Sequence, residues 1–265
     1  MISKIYERIL EKEVLKGPMP RHVAIIMDGN RRFAQKLGED PKRGYFFGAK
    51  RTEEVLRWLL ELGIRQTTVY AFSTENFRRN REEREIIFEL FRRKIRELMN
   101  DRMVHDNRVC VRVIGKRSLL PADIISLIEE LENRTSKYGR FFLNIAFAYG
   151  GRAEIVDAIK GLMKDVLSGK LSPEEISEVH LTRHMYLNGE RISPDVDLII
   201  RTGGEKRISN FLPWQATGNE STVYFCSPYW PEFRKIDLLR AIRTYQQRLF
   251  RLTGGSLNFE NPLNS

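Results

Sequence analysis

An acid, a glycine, an amide and two guanidinium side chains follow directly on a short apolar run. The run covers residues 23–27, and the residues after it are Asp28, Gly29, Asn30, Arg31 and Arg32. The carboxylate could hold Mg²⁺ or point at a scissile oxygen, while the glycine lets the backbone come close to a ligand. Arg32 and the N-terminus of the helix that follows would both receive negative charge. Together these residues are typical of a site for a metal-bound diphosphate.

A second pair of arginines lies farther along the chain. Arg201 and Arg207 stand six residues apart around Gly203-Gly204. Glycines bring backbone N–H groups close to an anion, and each guanidinium can chelate phosphate oxygens. The pattern favours a second anion site, and the alternative is a loop with surface arginines.

Other common phosphate and metal motifs are absent from the sequence. There is no G-x-x-x-x-G-K-[ST] loop, no G-x-G-x-x-G fingerprint and no adjacent aspartates, so the D-D-x-x-D box of trans-type prenyl synthases is missing. His180 and His184 have the spacing of helical metal ligands, but no third ligand is evident, and we predict no metal there. We expect His22 and His105 to be structural.

The composition indicates one folded domain with anionic partners. The 265 residues are 42% apolar, and the formal net charge is +10. The partners could be nucleic acid, lipid headgroups or phosphorylated small molecules. No run approaches the roughly 20 apolar residues that span a bilayer and no signal peptide precedes Arg21, which predicts a cytosolic protein. Cys110 and Cys226 lie in apolar runs, and we expect core thiols rather than a disulfide.

Apolar strands alternate with helical patterns from Arg21 onward. We predict strands over 23–27, 67–72, 109–114, 141–148, 197–201 and 222–226. We predict helices over 31–37, 48–62, 82–99, 121–133, 152–167 and 236–250, with a shorter one near 173–180. Near-continuous apolar strands separated by helices indicate an α/β fold, a single domain with a mostly parallel six-stranded sheet flanked by helices.

Residues 1–20 precede this pattern and form a segment of their own, ahead of a main domain over 21–265. Ile2, Ile5, Ile9 and Leu10 stand at helical spacing, which predicts an N-terminal amphipathic helix. Such a helix either packs on the domain or contacts a membrane surface or a partner.

Polar residues stand where four of the predicted strands end. Ligands in open α/β sheets bind outside the carboxyl ends of the strands, so we expect these segments to meet at one rim. The segments are 28–30, 73–76, 149–152 and 201–207.

Taken in order, these segments closely resemble the cis-prenyltransferases, the undecaprenyl diphosphate synthase family. The resemblance runs from His22 to about Phe233. Its motifs are HVAIIMDGN at 22–30, YAFSTENF at 70–77, NIA at 144–146, YGGR at 149–152, and DLIIRTGGE at 197–205 followed by Trp214-Gln215.

The resemblance implies a Mg²⁺-dependent polyprenyl diphosphate synthase. Such an enzyme adds isopentenyl diphosphate by sequential cis-condensation to an allylic primer, farnesyl or geranylgeranyl diphosphate. Its product is a long-chain polyprenyl diphosphate, the precursor of a glycosyl carrier lipid. The family also implies a cytoplasmic homodimer, no nucleic-acid partner, and transient contact with the membrane surface for product release.

The resemblance also implies roles for residues of this chain. Asp28 would be the essential acid, and Asp28 and Glu220 the Mg²⁺ ligands. The family often assigns proton removal to the residue at Asn76; because a carboxamide is a poor base, we expect Asn76 to orient the acceptor and the departing diphosphate to take the proton. The allylic substrate would contact Gly29, Asn30, Arg31, Arg32 and Arg79, and isopentenyl diphosphate would contact Arg201, Arg207 and Ser209. The other substrate-binding residues implied are Phe33, Tyr45, Ser73, Thr74, Glu75, Phe77 and Ile208.

Two positions depart from the family pattern. After Asp-Gly-Asn the family often has glycine, arginine and tryptophan, whereas this chain has Arg31, Arg32 and Phe33, a variant associated with archaeal members. The family's histidine before Gly-Ala-Lys is Tyr45, so a proton shuttle is not carried over to that position.

A growing polyprenyl chain must be kept from water, so we expect an apolar tunnel leading away from the rim. One predicted wall is the helix with Ile87, Leu90, Phe91 and Ile95, and the other is the helix with Val55, Leu59 and Leu62. Ile145 should lie between them. Most of the charged run 78–96 is expected to form the solvated face of a long helix.

Two other functions remain open at this point. A basic nucleic-acid-binding domain would need arginine and aromatic residues spread over one exposed face. A non-catalytic relative of the cis-prenyltransferases would keep the fold and lose the chemistry. The presence of Asp28, Asn76, Arg201, Arg207 and Glu220 argues against the second alternative.

Overall fold

The computed structural model describes residues 2–188, 191–216 and 221–252, and the structural statements below concern these residues. The strands are β1 (His22–Ile26), β2 (Gln66–Ser73), β3 (Val109–Ile114), β4 (Phe141–Tyr149), β5 (Leu198–Arg201) and β6 (Thr222–Phe225). The helices are α1 (Ile2–Val14), α2 (Asn30–Lys36), α3 (Gly44–Glu61), α4 (Arg81–Met99), α5 (Arg102–Asp106), α6 (Ala122–Thr135), α7 (Gly151–Leu167), α8 (Glu178–Arg183) and α9 (Lys235–Leu252).

The six strands form one parallel sheet in the order β3-β4-β2-β1-β5-β6. All five residues of β1 are buried, as expected for a strand covered on both faces. Ile25 packs among α1, α3 and α9, and Ile145 packs among α4 and α6. Ala24 packs against Phe211 on the opposite face. The predicted α/β fold with a parallel six-stranded sheet is confirmed.

Three helical segments differ from the prediction. Helix α3 begins at Gly44, four residues earlier than predicted, although glycine is a poor helix former. A Cβ at Gly44 would lie 2.1 Å from the carbonyl oxygen of Asn30, so close packing of α3 on α2 requires glycine. The short helix α5 was not predicted. The predicted helix near 173–180 is a 3₁₀ turn at Pro173–Glu175, followed by α8.

The edge strand β3 is covered by side chains of α6. The Thr135 hydroxyl accepts from the backbone N–H of Val111 at 3.1 Å, and the Glu132 carboxylate accepts from that of Val113 at 2.8 Å. Side chains that occupy edge N–H groups block the pairing of another strand.

The N-terminal segment forms the predicted helix and packs on α9. Leu10 and Val14 are fully buried there, and the Gln246 side chain donates to the Val14 carbonyl at 2.7 Å. Among the described residues, no helix combines the length and the apolar character that crossing a membrane requires.

The cysteines and the first two histidines occupy structural positions. Cys110 is buried, Cys226 is partly buried, and both are free thiols. His22 is fully buried and contacts the Thr68 hydroxyl at 2.7 Å. His105 contacts the Tyr138 hydroxyl at 2.9 Å.

Candidate active site

The polar ends of β1 and β5 meet at the carboxyl rim of the sheet. The register places Ile26 beside Arg201, so Asp28 follows two residues beyond that pair. Nη2 of Arg201 donates to Asp28 Oδ2 at 2.8 Å. Nη2 of Arg32, in the first turn of α2, donates to Asp28 Oδ1 at 3.1 Å. The structure thus brings the predicted acid and two predicted anion-binding arginines into one cluster, in which the Asp28 side chain is 29% exposed.

The side chains of Tyr229 and Thr202 hold this cluster in place. Gly29 has φ +101°, and a Cβ there would lie 2.6 Å from the ring of Tyr229, so the position requires glycine. The Thr202 hydroxyl donates to the Asp28 carbonyl at 2.7 Å. The Arg32 guanidinium lies 5.2 Å from the centroid of the Tyr229 ring, within the range of a cation–π contact. The sequence analysis did not identify Thr202 or Tyr229, because only the tertiary fold brings them to Asp28.

Arg201 connects Asp28 to the loop that follows β5. Arg201 is 4% exposed, and its Nη1 donates to the Ser209 hydroxyl at 2.6 Å and to the Arg207 carbonyl. Arg207 itself is exposed, and its guanidinium pairs with Glu205 at 2.9 Å. Ile208 is partly buried. The structure therefore brings Arg201 and Ser209 together, while the Arg207 side chain lies at the surface of the same loop.

The end of β2 carries a tight turn built from Asn76 and three of the predicted substrate-binding residues, Ser73, Thr74 and Glu75. The Ser73 hydroxyl accepts from the Asn76 N–H at 3.2 Å, and the Asn76 carboxamide oxygen accepts from the Ser73 N–H at 3.1 Å. The Glu75 carboxylate accepts from Asn210 at 3.0 Å and from Thr74 at 3.2 Å. Burial alone would raise the pKa of Glu75, but hydrogen bonds, first that of Asn210, lower the pKa below its ordinary value.

The two phenylalanines among the predicted substrate contacts, Phe33 and Phe77, pack edge to face on neighbouring rings. The ring centroids of Phe77 and Phe72 are 5.0 Å apart, and those of Phe33 and Phe47 are 5.6 Å apart.

A buried acid that the sequence analysis missed joins α4 to α2 and α3. Glu83 is 6% exposed, and its N–H donates to the Asn80 side chain at 2.8 Å. Glu83 Oε1 accepts from Arg79 Nη1 at 3.0 Å and from the Tyr45 hydroxyl, and Arg31 Nη1 lies 3.5 Å away. The prediction of a solvated charged face is wrong at this position, because charge patterning does not show which turn of a helix abuts a neighbour. The Asn-x-x-Glu spacing at a helix start was the available signal.

An apolar cavity of about 270 Å³ extends from the polar rim between α3, α4 and the sheet. Asn30 and Tyr45 are among its lining residues, and the amide of Asn30 donates to the Met27 carbonyl at 3.2 Å. The apolar lining includes Ile87, Leu90, Phe91 and Ile95 of α4, Ile145 and Phe147 of β4, and Ala49 and Leu56 of α3.

The prediction of which face of α3 lines the cavity is wrong. Val55, Leu59 and Leu62 do not line this cavity but pack in the core with α1 and α9. The spacing identified a buried face of α3, but α3 has apolar residues on two sides, and periodicity alone does not say which side meets α4.

The described residues contain no group of three His, Cys, Asp or Glu side chains that could enclose a metal ion. His184 pairs with Asp165 at 2.9 Å, and His180 contacts Ser177 at 2.8 Å, so these histidines are otherwise engaged. Glu220 lies outside the described residues. Asp28 alone still fits Mg²⁺ chemistry, because this ion is commonly held by one or two carboxylates together with substrate phosphates.

Comparison with known proteins identifies the family. Residues 26–253 match the family model described as putative undecaprenyl diphosphate synthase. A relative from Archaeoglobus fulgidus is 55% identical over 248 residues, covering 94% of this chain and 97% of the relative. One from Pyrococcus horikoshii is 53% identical over 244 residues, covering 92% and 90%. Both are named tritrans,polycis-undecaprenyl-diphosphate synthase (geranylgeranyl-diphosphate specific).

Solved structures agree with this family. Lavandulyl diphosphate synthase from Lavandula x intermedia, in complex with dimethylallyl diphosphate, matches with a TM-score of 0.80 and 31% identity over 88% of this chain and 96% of that one. A probable undecaprenyl diphosphate synthase from Campylobacter jejuni matches with a TM-score of 0.68 and 32% identity over 86% and 95%. The chain therefore belongs to the undecaprenyl diphosphate synthase family: it is a cis-prenyltransferase that condenses isopentenyl diphosphate with an allylic diphosphate.

Proposed function

We propose that the allylic primer of this cis-prenyltransferase is geranylgeranyl diphosphate and that its product is an undecaprenyl-class diphosphate, the precursor of a glycosyl carrier lipid. The primer is taken from the names of archaeal relatives at 50–55% identity. The observation that carries the site assignment is the cluster of Asp28, Arg32 and Arg201, together with an apolar cavity that is lined by Met27 and Asn30, close neighbours of Asp28 in the chain. Charged groups suit the diphosphates, and the cavity suits the hydrocarbon.

The chain's own residues would bind and orient both diphosphates. Arg32, with Gly29 and the N-terminus of α2, would hold the primer's diphosphate, and Arg201 with Arg207 and Ser209 would hold that of isopentenyl diphosphate. Loss of diphosphate from the primer leaves an allylic cation, and fixed guanidiniums stabilise the charge that develops on the leaving group. The isopentenyl alkene then attacks, and the released diphosphate accepts the proton that the new tertiary cation loses.

Mg²⁺ is part of this proposal, with Asp28 and Glu220 as its protein ligands. When bound, the ion would neutralise charge on the primer's diphosphate and favour its departure. The support is the position of Asp28, which is partly exposed at a strand end and beside the arginines.

The apolar cavity is the proposed tunnel for the growing chain. Its walls come from α4, α3 and the sheet, and its lining is mostly aliphatic and aromatic. An apolar chain placed there is removed from water, which is favourable in proportion to the area buried.

The proposed assembly is a homodimer that pairs through α7. Val156, Ile159, Met163 and Leu167 lie along the outer side of this helix and are 43–83% exposed. Exposed apolar patches of this kind mark interaction sites. The stripe is flanked by charges of both signs, among them Lys160 and Asp165, and a two-fold contact needs such a self-complementary surface.

The proposed location is the cytoplasm, with transient contact between α1 and an anionic membrane surface. Every exposed residue between positions 4 and 16 is basic or aliphatic. They are Lys4, Ile5, Arg8, Ile9, Lys12, Leu15 and Lys16. Glu11 instead pairs with Lys235 of α9 at 2.7 Å. Exposed cations beside exposed apolar side chains suit the headgroups of anionic lipids, and the glutamates of α1, Glu7, Glu11 and Glu13, are less exposed than these cations.

The direct test is incorporation of labelled isopentenyl diphosphate into an extractable lipid with geranylgeranyl diphosphate as primer. We expect incorporation that stops when the divalent metal is chelated and returns when Mg²⁺ is added. Incorporation that is insensitive to chelation would reject the Mg²⁺ proposal.

A further inference from the structure

Glu83 holds together three segments that border the proposed primer site. Its carboxylate meets Tyr45 from the first turn of α3, Arg79 from the loop before α4, and Arg31 from α2. The resemblance to the cis-prenyltransferases places Arg31 and Arg79 among the residues that contact the allylic substrate, and we take both guanidiniums as part of the proposed primer site. Glu83 is itself too buried to be a contact for a diphosphate, and an acid would repel one.

Arg79 is held by a closed triangle of hydrogen bonds. Arg79 Nη1 donates both to Glu83 Oε1, at 3.0 Å, and to the Tyr45 hydroxyl oxygen, and that hydroxyl donates to Glu83. The Arg79 guanidinium also lies 5.7 Å from the centroid of the Tyr45 ring. An arginine side chain on a surface loop samples many rotamers. These contacts restrict it before the ligand binds, so binding costs less conformational entropy.

Tyr45 acts in this triangle as a proton donor. Burial, followed by the hydrogen bond to Glu83, raises the pKa of Tyr45 above its ordinary value, so the hydroxyl keeps its proton at any working pH. A hydroxyl that donates to Glu83 and accepts from Arg79 is fully engaged. This explains how a tyrosine can replace the family's histidine without taking part in proton transfer.

We propose that Glu83, together with the Tyr45 hydroxyl, is a positioning residue that fixes Arg79 to receive the diphosphate of the allylic primer. This inference rests on the proposed function. Glu83 acts through Arg79 and does not touch either substrate, so its loss should weaken primer binding and leave isopentenyl diphosphate binding unchanged.

The test compares steady-state kinetics of Glu83→Ala, Glu83→Gln and Tyr45→Phe with wild type. Because a hydrogen bond to a charged group is at stake, Glu83→Ala should raise the KM for the primer about tenfold or more, with kcat and the KM for isopentenyl diphosphate within about threefold. The Kd of a non-reactive primer analogue, geranylgeranyl thiodiphosphate, should rise by the same factor in calorimetry. Glu83→Gln keeps an acceptor oxygen and should restore the primer KM to within about threefold of wild type.

Glu82→Gln is the matched control, since Glu82 is the adjacent acid on α4, is 70% exposed and pairs with Lys42. It should change neither KM. A lower primer KM in Glu83→Ala would mean that Glu83 competes with the diphosphate for Arg79, and would overturn the inference. So would equal changes in both KM values together with a lower melting temperature, which indicate a purely structural residue.

Tyr45→Phe carries the test if Glu83→Ala does not fold, because it removes only a hydroxyl. A raised primer KM supports the inference, and an unchanged one rejects it. If the wild-type protein does not extend the primer, the proposed function is rejected. If the wild-type protein is active and the variants are unaffected, only the inference about Glu83 is rejected.

Discussion

At the scale of single residues, Asp28 is central to the proposed chemistry, and we expect it to contribute little to the stability of the fold. It lies on the loop after β1, its carboxylate pairs with Arg32 and Arg201, and its side chain is 29% exposed. Arg201 also donates to the Ser209 hydroxyl and the Arg207 carbonyl, contacts in which the carboxylate takes no part. Catalytic and structural effects of a substitution should therefore separate.

Asp28→Ala is expected to lower turnover by at least about 10³-fold, because leaving-group departure depends on the charges arranged here. The melting temperature should fall by no more than a few degrees. Asp28→Asn, which keeps the size and a hydrogen-bonding oxygen, should be nearly as inactive and so isolate the role of charge. Turnover above about a tenth of wild type in Asp28→Ala would contradict the assignment.

His22 makes stability depend on pH. It is fully buried, and burial, only partly offset by a hydrogen bond to the Asp195 carbonyl, lowers its pKa to about 4. Between that value and the ordinary pKa of about 6.5, the unfolded chain binds a proton that the folded chain does not, so stability falls as the pH falls through this range.

The His22 effect amounts to about 2 kcal/mol of unfolding free energy lost between pH 7.5 and pH 5. Urea unfolding of wild type and His22→Gln at both pH values measures it, because other titrating groups cancel in the difference. Equal losses in the two proteins would show that the histidine is not held neutral.

Residue types and their spacing predicted Asp28 with Arg32 as one anion site, Arg201 as part of a second, and both at the same rim of the sheet; the direct contact of Asp28 with Arg201 comes from the fold. They were not sufficient for Glu83 or Tyr229. The role of Glu83 depends on its burial against α3, and that of Tyr229 on its contact with Gly29, both of which arise only when distant segments pack.

At the scale of elements, α4 and α3 contribute to the cavity in different ways. The apolar stripe of α4 lines it as predicted, but on α3 the lining residues are Tyr45, Gly48, Ala49, Thr52, Glu53 and Leu56. Phe91 stacks on Phe147, with ring centroids 3.7 Å apart, and both rings line the cavity. A large side chain there should limit the length of the product.

Phe91→Ala should give longer products and lose less than the roughly 3–5 kcal/mol that is typical of a truncated core phenylalanine. Leu59→Ala is the control, since Leu59 is 1% exposed and does not line this cavity. It should lose about 2–5 kcal/mol without changing product length. If Phe91→Ala gave products of unchanged length and a large loss of unfolding free energy, Phe91 would be an ordinary core residue.

At the scale of the whole molecule, the parallel sheet was predictable and the strand order was not. Apolar strands alternating with helices leave few other arrangements, and the polar loops were expected at one rim because parallel strands end at the same edge. The order β3-β4-β2-β1-β5-β6 depends on which helices pack on which face, and no local pattern encodes that. The pairing of β1 with β5 brings Asp28 to Arg201, although the two residues are 173 positions apart in the chain.

The exposed apolar stripe on α7 predicts that the protein is a dimer in solution. Light scattering should give twice the chain mass of 31.1 kDa at micromolar concentration. Met163→Glu should shift the mass towards the monomer by placing a charge in the contact, whereas Leu37→Glu, on the exposed end of α2, should not. A wild-type protein that is monomeric under these conditions would contradict the proposed dimer.

The most direct measurement for the function as a whole is the structure of the lipid made from labelled isopentenyl diphosphate and geranylgeranyl diphosphate, with geranyl and farnesyl diphosphate as competing primers. We expect preferred use of geranylgeranyl diphosphate, products several units longer than the primer, and cis geometry at every new double bond. Failure to extend any primer, or trans geometry at the new double bonds, would contradict the assignment of this chain as a cis-prenyltransferase.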